Sequence, residues 1–339
     1  MHMADALISP AVGGTMWVVS GGLIAYSAKK VREEADDRKV PLMGVLGAFI
    51  FAAQMINFTI PATGSSGHLG GGMLLSILLG PYAAFLVLAS VLTVQALFFA
   101  DGGLLALGCN MVNMGLFTCF LAYPLIYKKI TAGGLTKKRV IIGATLAAVI
   151  GLQFGAFGVV LETMASGISE LPFKTFVLLM QPIHLAIGFV EGLVTAGVVS
   201  FMLEARPEIL SAAARRESIG VSIKGVLITL GCAALLTGGV ISWFASSHPD
   251  GLEWSMFRTS GKEELESKDG LHKSLAAVQG KTAFLPDYSF KKPAPAAESA
   301  AAWPAVDKGR SLSGLLGGMF TLLLAGLAGF VFTRRRTAA

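Results

Sequence analysis

A chain that opens Met1-His2 offers three nitrogens within two residues: the Met1 amine, the His2 backbone amide and His2 Nδ1. Closed on one ion, they form a five-membered and then a six-membered chelate ring in a plane. A fourth nitrogen completes the flat N4 set that Ni(II) and Cu(II) prefer. Histidine is a large second residue, so Met1 is expected to survive methionine removal. A further imidazole, His68, sits in Gly64-Ser65-Ser66-Gly67-His68-Leu69-Gly70-Gly71-Gly72. The glycines allow the close backbone approach and unusual dihedrals that a loop needs beside a buried N-terminal strand. The other reading is a flexible external loop with one solvated histidine. An amide nitrogen binds metal only when deprotonated, so a site of this kind weakens as pH falls. A square of nitrogens disfavours Zn(II), which takes tetrahedral sites, but does not reject Cu(II) by affinity.

The elements that must hold these groups are membrane helices. The hydrophobic fraction is 54%, charged residues are 14% and mean hydropathy is +0.68, against about 25% charge in ordinary soluble domains. Long apolar runs predict nine spans, near 11–28, 41–58, 69–80, 82–99, 104–127, 140–163, 176–203, 222–244 and 312–333. The third is too short to cross alone at about 1.5 Å per residue and is expected to be a half-helix. Basic residues cluster in alternate loops: Lys29 to Lys39, Lys128 to Arg139, Arg206 to Lys224, and Arg334 to Arg336. The short loops between hold only Lys174, which predicts an external N-terminus and a cytoplasmic C-terminus. Met1, His2 and His68 then share one face of the membrane. Charges so dispersed exclude nucleic acid as a partner. No signal peptide is evident, and Cys109, Cys119 and Cys232, without CxxC spacing, are expected to be buried thiols.

Residues 1–204 form a continuous membrane core, 205–221 a polar linker, and 222–339 a two-span module. The module's external segment 245–311, Pro-Ala-rich near 293–305, is expected to be only partly ordered. Among polar residues in the apolar core, His184 and Glu191 lie two turns apart and both can face the bundle interior; a structural contact explains them equally well. Asp101, Asn110 and Asn113 at the fifth span suit support of a site or an interhelical hydrogen bond. Gln153 and Glu162 suit ties between helices. His248 and His272 receive no role. HExxH, GxSxG and a true phosphate loop are absent, which argues against an enzyme and puts any ATP hydrolysis on another polypeptide. A stand-alone secondary cation transporter needs a relay of buried acids, for which Glu191 and Glu162 are the candidates, and no internal repeat supports it.

Met1-His2, the Gly67-His68-Leu69-Gly70-Gly71 loop, the stretch from Phe99 to Gly108 and the stretch from Ala186 to Gly192 resemble the NikM/CbiM family, substrate-binding membrane components of energy-coupling-factor (ECF) nickel and cobalt transporters. Pro249-Asp250-Gly251-Leu252-Glu253 is similar to the PDGLE signature of the small NikN component, so the whole resembles a fused NikMN chain. The resemblance implies an all-α integral membrane protein with a seven-helix core and two C-terminal helices. It implies metal held by Met1, His2 and His68, the set the chelate argument reached, with Ni(II) or Co(II) as cargo and no cofactor. It implies a transmembrane coupling component and two cytoplasmic ATPases as partners in a bacterial inner membrane. The Gly-His-Leu loop is more similar to the nickel branch than to the cobalt branch that serves cobalamin synthesis. Met3-Ala4-Asp5-Ala6 departs from a family pattern with proline and glycine here, which removes no ligand.

Overall fold

Helices form wherever the apolar runs are long and uninterrupted, and the chain leaves them at glycine, proline and polar clusters. The structure, a computed structural model, describes all residues except 1, 35, 170, 216, 263, 264, 266–269, 291–302 and 335–339. Met1, Arg216, the Pro-Ala stretch over 291–302 and Arg335–Arg336 therefore lie outside the described residues. The main helices are α1 (Pro10–Glu34), α2 (Lys39–Gln54), α3 (Gly72–Leu79), α4 (Pro81–Phe99), α5 (Leu107–Thr131), α6 (Lys137–Ser166), α7 (Phe173–Ala205), α8 (Pro207–Arg215), α9 (Lys224–Gly239), α10 (Gly251–Ser260), α11 (Gly270–Thr282) and α12 (Lys308–Arg334). Two three-residue strands, β1 (Phe58–Ile60) and β2 (Ser65–Gly67), form an antiparallel hairpin ahead of α3.

Among the described residues six helices are long and apolar enough to cross a bilayer: α1, α4, α5, α6, α7 and α12. Helices α2 and α9 are apolar but only 16 residues long. The second predicted span stops at Gln54 because the chain turns into β1, and the eighth stops at Gly239. Helix α3 has eight residues, all buried, and about 12 Å of length, a half-helix inside the bundle. Helix α4 is apolar on every side and largely buried beside it. Around this pair, α6 packs along α7, α5 along α6, and the C-terminal helices α9 and α12 flank α2. Leu178, Leu185, Phe189 and Phe201 of α7 remain exposed on the outer surface, as lipid-facing side chains do.

Two expectations change. The linker contains α8, which buries Ile209, Leu210 and Ala213 against α3 and α7; alanines and arginines hid a helical stripe. Within the segment 245–311, the stretches 245–262 and 270–290 carry α10 and α11 and dock onto the core. Cys232 is exposed on α9, whereas Cys109 and Cys119 are buried.

Candidate metal centre

The N-terminal segment enters the bundle rather than lying on it. Met3 is fully buried. Its backbone N–H donates to Asn110 Oδ1 at 2.7 Å, and Asn110 Nδ2 donates back to Met3 O at 3.2 Å. Gly103 N–H also donates to Met3 O, while Asp5 Oδ1 accepts from Ala106 N–H at 2.9 Å. Asn110 thus acts as a substitute strand edge: one side-chain amide satisfies both backbone groups of Met3, which burial would otherwise leave costly.

The His68 loop descends to meet this segment. Gly67 lies against α7 so closely that a Cβ there would sit 2.4 Å from Ile187 Cγ1, and Gly71 adopts φ +78°, a region open to glycine at little cost. Further along α7, Glu191 accepts from Gly70 N–H at 2.7 Å and Gly71 N–H at 3.1 Å. Gln54 Nε2 donates to Gly70 O at 2.8 Å. Irregular backbone at bundle depth is tolerated only when protein groups satisfy it in this way.

These two segments bring His2 and His68 together. Their ring centroids are 4.9 Å apart with planes at 17°, and the side chain of His2 is 6% exposed. The hydrogen-bond chain fixes the His2 tautomer. Gly70 O can only accept, so Gln54 presents its amide NH2 there and its oxygen to Gln95 Nε2, at 2.8 Å. Gln95 Oε1 is left facing His2 Nε2 at 3.1 Å, which must therefore carry the proton. His2 Nδ1 keeps its lone pair and faces Asp101 Oδ1 at 3.2 Å. In His68, Nδ1 donates to Leu69 O at 3.1 Å, which assigns the lone pair to Nε2. Burial lowers both imidazole pKa values to about 3, so both rings are neutral and able to ligate metal. The lone pair of His2 Nδ1 set against a carboxylate is a pairing that a cation relieves.

A cavity of about 340 Å³ opens over the two rings, bounded also by Asp101, Asp250, Glu253 and Arg310. Burial pushes the Asp101 carboxyl up, against a hydrogen bond from the Tyr288 hydroxyl. The neighbouring Asp250 charge pushes Glu253 up to about 7. Among the described residues no three His, Cys, Asp or Glu side chains are arranged to hold an ion.

Of the residues singled out by sequence, His2, His68 and Asp101 meet at this cavity, while Asn110 and Glu191 brace its walls. Asn113 lies deeper, donating to Glu162 Oε2 at 2.6 Å. His184 is elsewhere, across the His68 loop, with Nδ1 on Met180 O at 2.8 Å; it makes no hydrogen bond to Glu191. Sequence reasoning missed Gln54 and Gln95, although a glutamine within an apolar span is a signal in itself. It also missed the C-terminal region's share. Ser66 N–H donates to Pro249 O, Asp250 and Glu253 form the capping box of α10, His272 Nε2 donates to Ile8 O at 2.8 Å, and Gln279 Nε2 donates to Gly102 O at 2.7 Å.

Comparison with known proteins agrees with this architecture. A family model described as CbiM, cobalt uptake substrate-specific transmembrane region, matches residues 2–209, and a PDGLE domain matches 224–334. A chain of Archaeoglobus fulgidus provisionally named a fused nickel transport protein, NikMN, is 36% identical over 237 residues, covering 68% of this chain and 75% of its own. The fused nickel transport protein NikMN of Rhodobacter capsulatus is 29% identical, covering 62% and 64%. The crystal structure of a truncated transition metal transporter superposes with a TM-score of 0.54 at 31% identity, covering 60% of this chain and 99% of that one. The chain belongs to the CbiM family, a family of membrane components for nickel and cobalt transport, and carries a PDGLE domain behind its CbiM region.

Proposed function

We propose that this protein captures nickel for an ATP-driven importer of the energy-coupling-factor type. The ion binds on the outer side of a bacterial cell membrane, in a planar set made by the Met1 amine, the His2 amide and Nδ1, and a His68 nitrogen. Nine segments cross or enter the bilayer, with the His2 and His68 end outside and the basic loops inside. The observation that carries the reading is the buried His2–His68 pair with its fixed tautomers. With metal–nitrogen bonds of about 2 Å, two imidazoles at adjacent corners of a square have centroids about 4.5 Å apart, against 4.9 Å here. Binding at His2 Nδ1 exchanges the Asp101 contact for the ion, while Gln95 holds the other nitrogen as partners of metal-bound imidazoles do. A membrane coupling component and two cytoplasmic ATPases supply the energy for release.

Relatives named for nickel favour that cargo; cobalt is the second reading, favoured by the family description and by relatives named CbiM. A stand-alone secondary transporter is disfavoured, because Glu162 and Glu191 are both engaged by protein groups. The test is a titration of the purified full-length chain with Ni(II), Co(II), Cu(II) and Zn(II). His68→Ala, and separately a chain with one extra residue before Met1, are expected to lose at least a hundredfold in nickel affinity while remaining folded. Parental affinity in either variant overturns the four-nitrogen site.

A further inference from the structure

On the side of the His68 loop away from His2 lies a second cavity, enclosed among α5, α6 and α7. Its volume is about 20 Å³, enough for one water molecule or one ion stripped of its hydration shell. His68 lines it from the loop, His184 from α7, Met114 and Thr118 from α5, and Gly251 from the PDGLE motif. Gly251 leaves no room to spare: a Cβ there would lie 3.1 Å from His184 Cε1.

His184 is fully buried. Its Nδ1–H donates to Met180 O, so Nε2 carries the lone pair, and among the described residues Nε2 has no hydrogen-bond partner. Buried polar atoms without partners are rare. One ring nitrogen tied to a backbone carbonyl with the other bare is the arrangement that metal-binding imidazoles adopt. His68 likewise has Nδ1 on Leu69 O, and it is a residue common to the walls of both cavities.

We propose that the smaller cavity is a second metal station, in which an ion leaving His2 is held between His68 and His184 inside the helix bundle. The inference rests on the reading of His2 and His68 as the capture site. It gives His68 two duties, as a ligand of the first site and as the ligand kept during transfer.

The test removes the first site and asks whether metal still finds His184. Full-length His2→Ala is titrated with Co(II), whose absorption reports its ligands. Expected is one residual ion bound at least a hundredfold more weakly than by the parent chain. Adding His184→Leu is expected to weaken that residual binding by a further tenfold or more. Adding His184→Cys instead is expected to restore it and to introduce a thiolate-to-cobalt charge-transfer band, which a merely structural residue 184 does not produce. No binding to His2→Ala, binding indifferent to residue 184, or no thiolate band with Cys overturns the second station. Parental affinity in His2→Ala overturns the capture site itself, a different result from any of these.

Discussion

At the end that carries His2 and His68, the backbone leaves the helices and is tied down by buried side chains from distant parts of the chain. At the opposite end the helices run out into exposed charge: Lys30 with Glu33, Lys137 with Glu204, Arg206 with Glu208. The first end spends Asn110, Glu191, Gln54 and Gln95 on holding irregular backbone in place; the second holds surface pairs that stabilise by about 0–1 kcal/mol. Two imidazoles can be aligned to within one ion's reach only where the supporting groups have lost their freedom. Orientation in a membrane needs no such precision, because it responds to the sum of charges.

The comparison is broken most directly at Glu191. Glu191→Leu leaves Gly70 and Gly71 N–H buried without acceptors, at about 1–3 kcal/mol each. Nickel affinity is expected to fall by about a hundredfold, each tenfold corresponding to about 1.4 kcal/mol, with Glu191→Gln intermediate because its oxygen still accepts one bond. Parental affinity in Glu191→Leu by calorimetry would show that the loop does not depend on this brace.

Acid probes the same end. His2 and His68 have pKa values of about 3 in the folded protein, against about 6.5 when unfolded. Between those values the unfolded chain binds more protons, so stability falls as pH drops from 6.5 towards 3, by roughly 1.4 kcal/mol per pH unit for each ring. The thermal midpoint is expected to fall between pH 6 and pH 4.5, and less steeply in His68→Ala; a flat profile contradicts neutral burial. Above pH 5 both rings stay unprotonated, so a loss of nickel between pH 8 and pH 6 reports the amine and amide of the proposed site.

Smaller effects sharpen the contrast. Asn110→Ala removes both bonds to Met3, where a net hydrogen bond contributes about 0.5–1.5 kcal/mol, and nickel affinity is expected to drop about tenfold. Lys137→Ala, at the other end, breaks a pair whose partners are 65% and 67% exposed; the same titration is expected to give the parental affinity within twofold. A tenfold loss there would mean that the two ends are coupled.

The helices were legible because their apolar runs are long, and the basic loops because charge is sparse elsewhere. His2 and His68 were legible as chemistry, since an N-terminal Met-His and a histidine among glycines are unusual on their own terms. Their support was not. Nothing local in Gln95 says that Gln54 will orient its amide, and the contact between His272 and Ile8 spans 264 residues. Within 245–311 balanced charge concealed α10 and α11, which dock against β2, α4 and α7 rather than building a core of their own.

The bond from His272 to Ile8, with Gln279 on Gly102, sets a timetable for biogenesis. Residues 2–8 are synthesised well before residues 272 and 279, yet their resting place gains these anchors only once the later residues have been made and brought to it. Until then the earlier-made stretch of polypeptide must wait for the later-made one to close over it.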